Sequence, residues 1–301
     1  MIYISRQRNS KENIITESSK TLNFLYGNFL GRLFLKIFTT KLISNIIAIY
    51  MNSKFSKNRI EKFVNKNDIN TFEYEAKNYK SYNDFFIRKV IPYKRPINAK
   101  SDILISPCDS KLIAYKIEED LTLRIKDSYY SIDTLVNDNG IINDYIGGYA
   151  LVFRLSTDNY HRYCYIDSGS KGKNHKIKGV FHTVQPIALK HYNFYKTNSR
   201  EYTILNTNNF GKVIHVEVGA LGVGRIKNNH ETYIYKKGEE KGYFEFGGST
   251  IVLLIHKNIV NLDKDIVDNS KEGIETIVMY GEKIGSLKLF TRIVNKIKNI
   301  W

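Results

Sequence analysis

An α+β fold is predicted, with a helical arm over residues 1–100 and a mostly antiparallel β core with few short helices over residues 101–301. Three observations predict it. Apolar residues recur at helical spacing early in the chain. From about residue 103 the texture changes to short β-branched and aromatic runs separated by Gly, Asn and Asp. Regular strand–helix alternation, a Gly-x-Gly-x-x-Gly leading into a helix, and internal repeats are all missing, which argues against a doubly wound parallel sheet.

In chain order, residues 1–20 are polar and are expected to be poorly ordered at the end. Over residues 22–51 the apolar positions Phe24, Leu25, Phe29, Leu33, Ile37, Leu42, Ile46, Ile47 and Tyr50 follow a helical period, with Gly27 and Gly31 as points of division. Arg32, Lys36 and Lys41 interrupt the apolar face. Such a segment can lie in a membrane interface or pack on the core, and the residues alone leave both open. Residues 56–66 and 80–89 read as further short helices. Strands are expected at 103–105, 112–115, 149–155, 162–166, 212–219, 232–235, 243–246 and 251–255. A short helix is expected within 185–200, surface loop at 261–274, and a last helix at 287–301.

Composition bounds the function. Lys and Arg number 46 against 30 Asp and Glu, a net charge of +16. This charge suits an anionic surface, either nucleic acid or acidic lipid. Ten basic residues and only Glu12 and Glu17 fall in the first 60 positions, so half of the excess sits in the arm. The only cysteines, Cys108 and Cys164, make no disulfide framework or zinc spacing and fit a reducing cytoplasm. The first residues lack the layout of a secretory signal, and no run reaches the ~18 apolar residues of a spanning helix.

The most informative string is Gly247-Gly248-Ser249-Thr250, which interrupts a strand pattern. Paired glycines in a strand mark a bulge or a close backbone approach. A Gly-Ser bond held in a strained turn can also react with itself. The Ser249 hydroxyl can attack the Gly248 carbonyl, which glycine leaves unshielded. The ester so formed can eliminate, cutting the chain and leaving Ser249 as an N-terminal pyruvoyl group.

Other motifs stand in order along the chain. They are Tyr82-Asn83-Asp84-Phe85-Phe86-Ile87-Arg88, Arg95-Pro96-Ile97, Ser106-Pro107-Cys108-Asp109-Ser110, and Asp158-Asn159-Tyr160-His161-Arg162. Thr183-Val184-Gln185-Pro186-Ile187-Ala188, Glu217-Val218-Gly219-Ala220 and the string 242–250 follow. Together they resemble the phosphatidylserine decarboxylase proenzymes, in the branch that carries Gly-Gly-Ser-Thr, over about residues 82–285.

The resemblance implies a site. Ser249 is the nucleophile and Asp109 the acid of a serine-protease-like relay. The family commonly carries Tyr-His-Arg-x-His, with the second histidine as relay base. Here Cys164 stands at that position, and His161 matches the first histidine, implicated near the substrate phosphate and in decarboxylation. His182 is a candidate for the missing base, by exchange between neighbouring strands, although it also reads as an ordinary half-buried strand residue. Arg162 is a substrate-side candidate for phosphate, or a plain ion pair. Histidines 175, 191, 215, 230 and 256 belong to no motif and are read as structural.

The implied activity is decarboxylation of phosphatidylserine through a Schiff base on the pyruvoyl group derived from Ser249, giving phosphatidylethanolamine and CO2. Neither pyridoxal phosphate nor a metal is expected. Cleavage at Gly248–Ser249 leaves a β chain, 1–248, and an α chain, 249–301, that stay associated. The partner is phosphatidylserine in an anionic membrane rather than nucleic acid, at the cytoplasmic face of the cell membrane, with the arm as a peripheral docking element. A homodimer is allowed for. Two other readings stay open: a pyruvoyl-dependent decarboxylase of a soluble amino acid, and a membrane-binding relative that does not mature.

Overall fold

A computed structural model describes residues 3–6, 24, 28, 30–31, 41–119, 122–125, 128–136, 139–179, 198–222, 225–289 and 291. Its strands are β1 (Tyr3–Ser5), β2 (Ile103–Ile105), β3 (Ser110–Lys116), β4 (Thr122–Ile125), β5 (Ser128–Ser131), β6 (Tyr149–Leu155), β7 (Arg162–Cys164), β8 (Gly169–Lys171) and β9 (His175–Ile177). They continue with β10 (Arg200–Thr207), β11 (Gly211–Gly222), β12 (Ile226–Asn228), β13 (Tyr233–Tyr235), β14 (Glu240–Phe244), β15 (Gly247–Ile255), β16 (Val260–Leu262), β17 (Glu275–Val278) and β18 (Lys283–Leu287). The helices are α1 (Lys41–Asn52), α2 (Arg59–Lys66), α3 (Tyr82–Phe86), α4 (Asp133–Val136), α5 (Asn139–Ile142) and α6 (Lys264–Lys271).

A ten-stranded sheet runs β1-β17-β3-β6-β15-β11-β10-β8-β13, with β9 beside β10. Among the described residues its only parallel pair is β1 with β17. Two three-stranded sheets, β12-β14-β7 and β16-β18-β2, cover one face. The architecture is α+β and mostly antiparallel.

β15 sits in the middle of the large sheet because both of its faces are apolar. Ile251, Leu253 and Ile255 enter one core, with Phe153, Tyr163, Cys164 and Phe244. Val252 and Leu254 enter the other, with Ile132, Leu135, Ile142 and Tyr145. Its ladder to β6 runs without a break from Ile255↔Tyr149 to Ser249↔Leu155. Each such side chain contributes about 1.5–3 kcal/mol on burial.

Three sequence expectations are corrected. Tyr3–Ser5 is a strand rather than a loose end, pairing with β17, and Arg6 then reaches Asp263, Asp265 and Glu282 at 2.8, 2.7 and 3.1 Å. Three residues are too few to show a strand period in a polar terminus. Residues 261–274 hold α6, whose apolar stripe is only Ile266 and Val267, too thin to read as helical among charged neighbours. The glycines do not interrupt a strand at 243–246. The preceding strand ends at Phe244, and Gly247 opens the next. The helix expected within 185–200 and most of the one expected at 287–301 lie outside the described residues, as does most of the arm before α1, and Leu287 itself ends β18.

Replacing Leu253 by Ala should leave a cavity in the centre of the large sheet. It should cost about 2–5 kcal/mol, read as a lower urea midpoint with an unchanged slope.

Candidate active site

The chain crosses from the small sheet to the large one at residues 245–248. β14 ends at Phe244 in the small sheet, and β15 begins at Gly247 in the large one. Gly247 has φ +136°, a value that side-chain-bearing residues rarely adopt, which explains a glycine there. On the facing strand the register slips between Gly219, which pairs with Ser249, and Gly222, which pairs with Gly247. β11 thus carries one extra residue opposite the Gly248–Ser249 bond, a β-bulge of the kind found beside active sites. The paired glycines predicted an irregularity at this point, and the extra residue itself falls on the partner strand.

Ser249 is fully buried, and its side chain faces the small sheet. His161, the residue before β7, meets it there: Oγ lies 3.4 Å from Nδ1. The other ring nitrogen, Nε2, lies 3.0 Å from the Ser156 carbonyl oxygen. A carbonyl can only accept, so Nε2 carries the proton and Nδ1 presents its lone pair to the Ser249 hydroxyl. Burial, and after it the charge of Arg88, push His161 down to about 3, so the ring is neutral at physiological pH. This arrangement can accept the proton that Ser249 must lose to become a nucleophile.

The motif 82–88 holds this pair in place. Phe86 stacks on the His161 ring at 4.1 Å. Asn83, buried in α3, accepts from the Phe246 backbone N–H at 2.9 Å and donates to Asn52 at 3.0 Å, so α1 and the crossing segment share one contact. The Phe246 ring packs edge-on against Tyr82 and Phe86. Arg88 lies against the faces of Tyr74 and Phe85 and donates to the Asp158 carbonyl at 3.3 Å, steadying the approach to His161. These supporting roles were not foreseen from sequence. A polar Asn inside an apolar helix string was the available signal.

The remaining candidates are placed differently. Asp109 is buried and bound by Arg95 at 2.8–3.0 Å, and it accepts from the Tyr280 N–H at 2.7 Å. Among the described residues no hydrogen bond joins it to His161, whose orientation comes from the Ser156 carbonyl instead. His182 lies outside the described residues. Cys164 sits in the core with its Sγ 3.9 Å from the Ser106 carbonyl oxygen, and burial pushes its thiol up to about 12, so it fills space rather than acting as a base. Arg162 donates to the Ile87 carbonyl at 2.9 Å and pairs with Glu240 at 2.8 Å. It also borders a cavity of about 330 Å³ lined by Lys77, Arg88 and Lys89 together with the acidic Glu75 and Asp84.

The residues fit formation of a pyruvoyl group from Ser249. The hydroxyl is buried beside a neutral imidazole, and the preceding peptide is flanked by glycine and a bulge. Among the described residues no three His, Cys, Asp or Glu side chains are grouped to hold a metal.

Comparison with known proteins agrees with the motifs. The family model described as phosphatidylserine decarboxylase matches residues 82–286. A phosphatidylserine decarboxylase proenzyme 2 from Clostridium acetobutylicum is 51% identical over 265 residues, covering 88% of this chain and 91% of that protein. A phosphatidylserine decarboxylase proenzyme from Ruminiclostridium cellulolyticum is 42% identical, covering 89% of this chain and 91% of its own length. One from Clostridium botulinum is 40% identical, covering 95% and 99%. The chain belongs to the phosphatidylserine decarboxylase family.

Proposed function

We propose that this chain is a proenzyme that cuts itself between Gly248 and Ser249 and then decarboxylates phosphatidylserine. The observation that carries the reading is the 3.4 Å approach of His161 Nδ1 to Ser249 Oγ, beside a glycine crossing and a β-bulge on the facing strand. His161 takes the hydroxyl proton as Ser249 Oγ bonds to the Gly248 carbonyl carbon. The Gly248–Ser249 amide bond then breaks as the proton on His161 passes to the Ser249 nitrogen, leaving an ester to the Ser249 oxygen and a free amine. Loss of the Ser249 α-proton and departure of the Gly248 carboxylate cut the chain, and hydrolysis of the remaining enamine releases ammonia. The pyruvoyl carbonyl so formed supplies an electrophile for the substrate amine and takes up electrons as CO2 leaves. Phe86 and Phe246 would shield it from water, and His161, beside residue 249, would hold or give up a proton there.

In this reading His161 takes the base role that sequence left to His182. Asp109 serves by tying Arg95 to Tyr280, an anchor on the segment that becomes the small chain. Arg162 faces the neighbouring cavity, where its charge and those of Arg88 and Lys89 suit the substrate phosphate.

Docking at the cytoplasmic face of an anionic membrane is supported by α1. Ala48 and Met51 are buried toward α3, while Ile46 and Ile49 are 54% and 72% exposed, followed by Phe55 at 82%. Lys54, Lys57 and Arg59 lie beside them. No helix among the described residues is long and apolar enough to cross a membrane. Partial burial of such a face with nearby cations suits an interfacial position. This apolar face favours a lipid substrate over a soluble amino acid.

Intact mass of the purified protein tests the reading. Two chains divided at Gly248–Ser249, with a blocked small chain, are expected, whereas Ser249→Ala stays whole. His161→Gln should slow cutting by about 10²–10⁴-fold; cutting at the parental rate would remove His161 from the role. Ile49→Ser with Phe55→Ser should weaken sedimentation with phosphatidylserine-containing vesicles and leave cutting intact; equal loss of both would count against a docking role.

The neutral base also makes a stability prediction. An unfolded histidine titrates at about 6.5, whereas His161 does so at about 3 in the fold. Between these values only the unfolded chain binds the proton. Stability is therefore full above about pH 6.5 and is lost as pH falls toward 3, by about 1.4 kcal/mol per unit. In the uncut Ser249→Ala form, adding His161→Gln should flatten the pH dependence of the urea midpoint in that window by this amount.

A further inference from the structure

Ser249 and its base belong to different sheets. Ser249 is on β15 of the large sheet, whereas His161 leads into β7 of the three-stranded sheet, and its carbonyl accepts from Phe244 N–H of β14 at 3.0 Å. Their 3.4 Å approach therefore depends on how the two sheets are seated on each other. Most of that contact is apolar and non-directional.

A buried polar contact between the sheets is directional. Lys241 of β14 donates from Nζ to Glu217 Oε1 of β11, and Glu217 also accepts from His215 Nδ1 at 2.7 Å. All three side chains are fully buried. Burial alone would raise the Glu217 carboxyl, but Lys241 and His215 hold it at about 2, so it is charged. Lys241 also donates to Asn228 Oδ1 of β12 at 2.6 Å, and Asn228 in turn donates to Glu201 of β10 at 3.1 Å. The lysine is thus held from both sheets.

Its position is set by an irregularity. β14 pairs with β7 as Glu240↔Cys164, Gly242↔Tyr163 and Tyr243↔Arg162, so Lys241 is the one extra residue of a bulge. Bulges re-aim side chains, and this one presents Lys241 to the large sheet. The next residue must be glycine, because a Cβ at Gly242 would stand 2.2 Å from the Lys227 carbonyl oxygen. On the far side Glu217 is two residues along β11 from Gly219, the partner of Ser249.

A buried ion pair is an expensive way to hold two surfaces, since apolar residues of like size often give equal or greater stability. What it adds is direction. We propose that Lys241 and Glu217 form a positioning pair that seats the small sheet on the large one so that His161 reaches Ser249 for self-cleavage. Neither residue touches the reacting atoms. The inference rests on the proposed self-cleavage.

The test is Lys241→Met with Glu217→Met, which removes both charges and keeps the volume. Cutting is followed by intact mass from pH 5 to 8, and folding by the urea midpoint in the uncut Ser249→Ala background. In the parent, His161 is neutral across this range, with Arg88 the charge that acts on it, so the rate should be flat. The double variant should unfold at the parental midpoint but cut at least about tenfold more slowly. Its rate should also climb toward about tenfold per pH unit as hydroxide replaces a base held out of reach. A merely structural role moves the midpoint and not the shape of this profile. Parental rate with a flat profile would overturn the proposal. If the double variant does not fold, Glu217→Gln, which keeps shape and hydrogen bonding, serves instead, with slow, rising cutting in favour and a parental flat profile against. A parent chain that never cuts would overturn the self-cleavage reading itself, a distinct result.

Discussion

In the proposed self-cleavage, one stretch of chain is both the centre of the fold and the place where the chain breaks. β15 is flanked by β6 and β11 and buried on both faces, and a strand so placed is the last element that local opening would release. Yet its second peptide is the one that must distort toward attack. The two demands are reconciled by position. The reactive bond lies at the strand's edge, where the ladder to β11 slips and the chain has just changed sheets. From Ser249 onward the pairing with β6 is regular, so strain at the crossing does not spread into the core.

The electrostatics of the site follow from dryness. A hydroxyl is a weak nucleophile, and the remedy is a base that is unprotonated and close. In water a histidine is shared between two forms near neutrality. Buried against Phe86 with Arg88 nearby, His161 has only the neutral form, and the Ser156 carbonyl selects the tautomer that turns its lone pair to Ser249. No carboxylate is needed for that orientation. Asp109 spends its charge on Arg95, in a contact that organises the fold.

Much of this was legible in the sequence, and the gaps have physical causes. Strands such as Tyr149–Leu155 and Ile103–Ile105 were read to the residue because their apolar runs are bounded by turn residues. An irregularity near Gly247-Gly248 was legible because glycine pairs are rare inside strands, although it is the opening of β15 rather than a break within a strand. The pairing of His161 with Ser249 was not legible because spacing along a strand says only that positions 161 and 164 face opposite ways. It does not say which of them faces Ser249. That depends on which sheet β7 joins, a long-range fact. Asn83, Lys241 and Glu217 were hidden for the same reason: each acts across 24 or more positions of sequence, on Phe246 or on each other. The strand at Tyr3–Ser5 depends wholly on an edge supplied some 270 residues later.

The proposed cut between Gly248 and Ser249 need not loosen the fold, and the topology explains why. The segment from Ser249 onward supplies most of β15 and all of β16, α6, β17 and β18, so it is woven into two sheets rather than appended. β15 keeps ladders on both sides, β17 lies between β1 and β3, and β18 lies between β16 and β2. Charged ties cross the same divide: Arg154 with Glu275, Asp109 with the Tyr280 N–H, and Arg6 with Asp263, Asp265 and Glu282. Arg154 and Glu275 are both nearly buried, where removal of either partner leaves an uncompensated charge. Release of the small chain would have to undo all of these at once, whereas the cut removes a single covalent link at a point already out of register. Residues 3–6 of the large piece thus grip β17 and the segments on either side of it, so the small piece is held at one edge of the large sheet as well as in its centre.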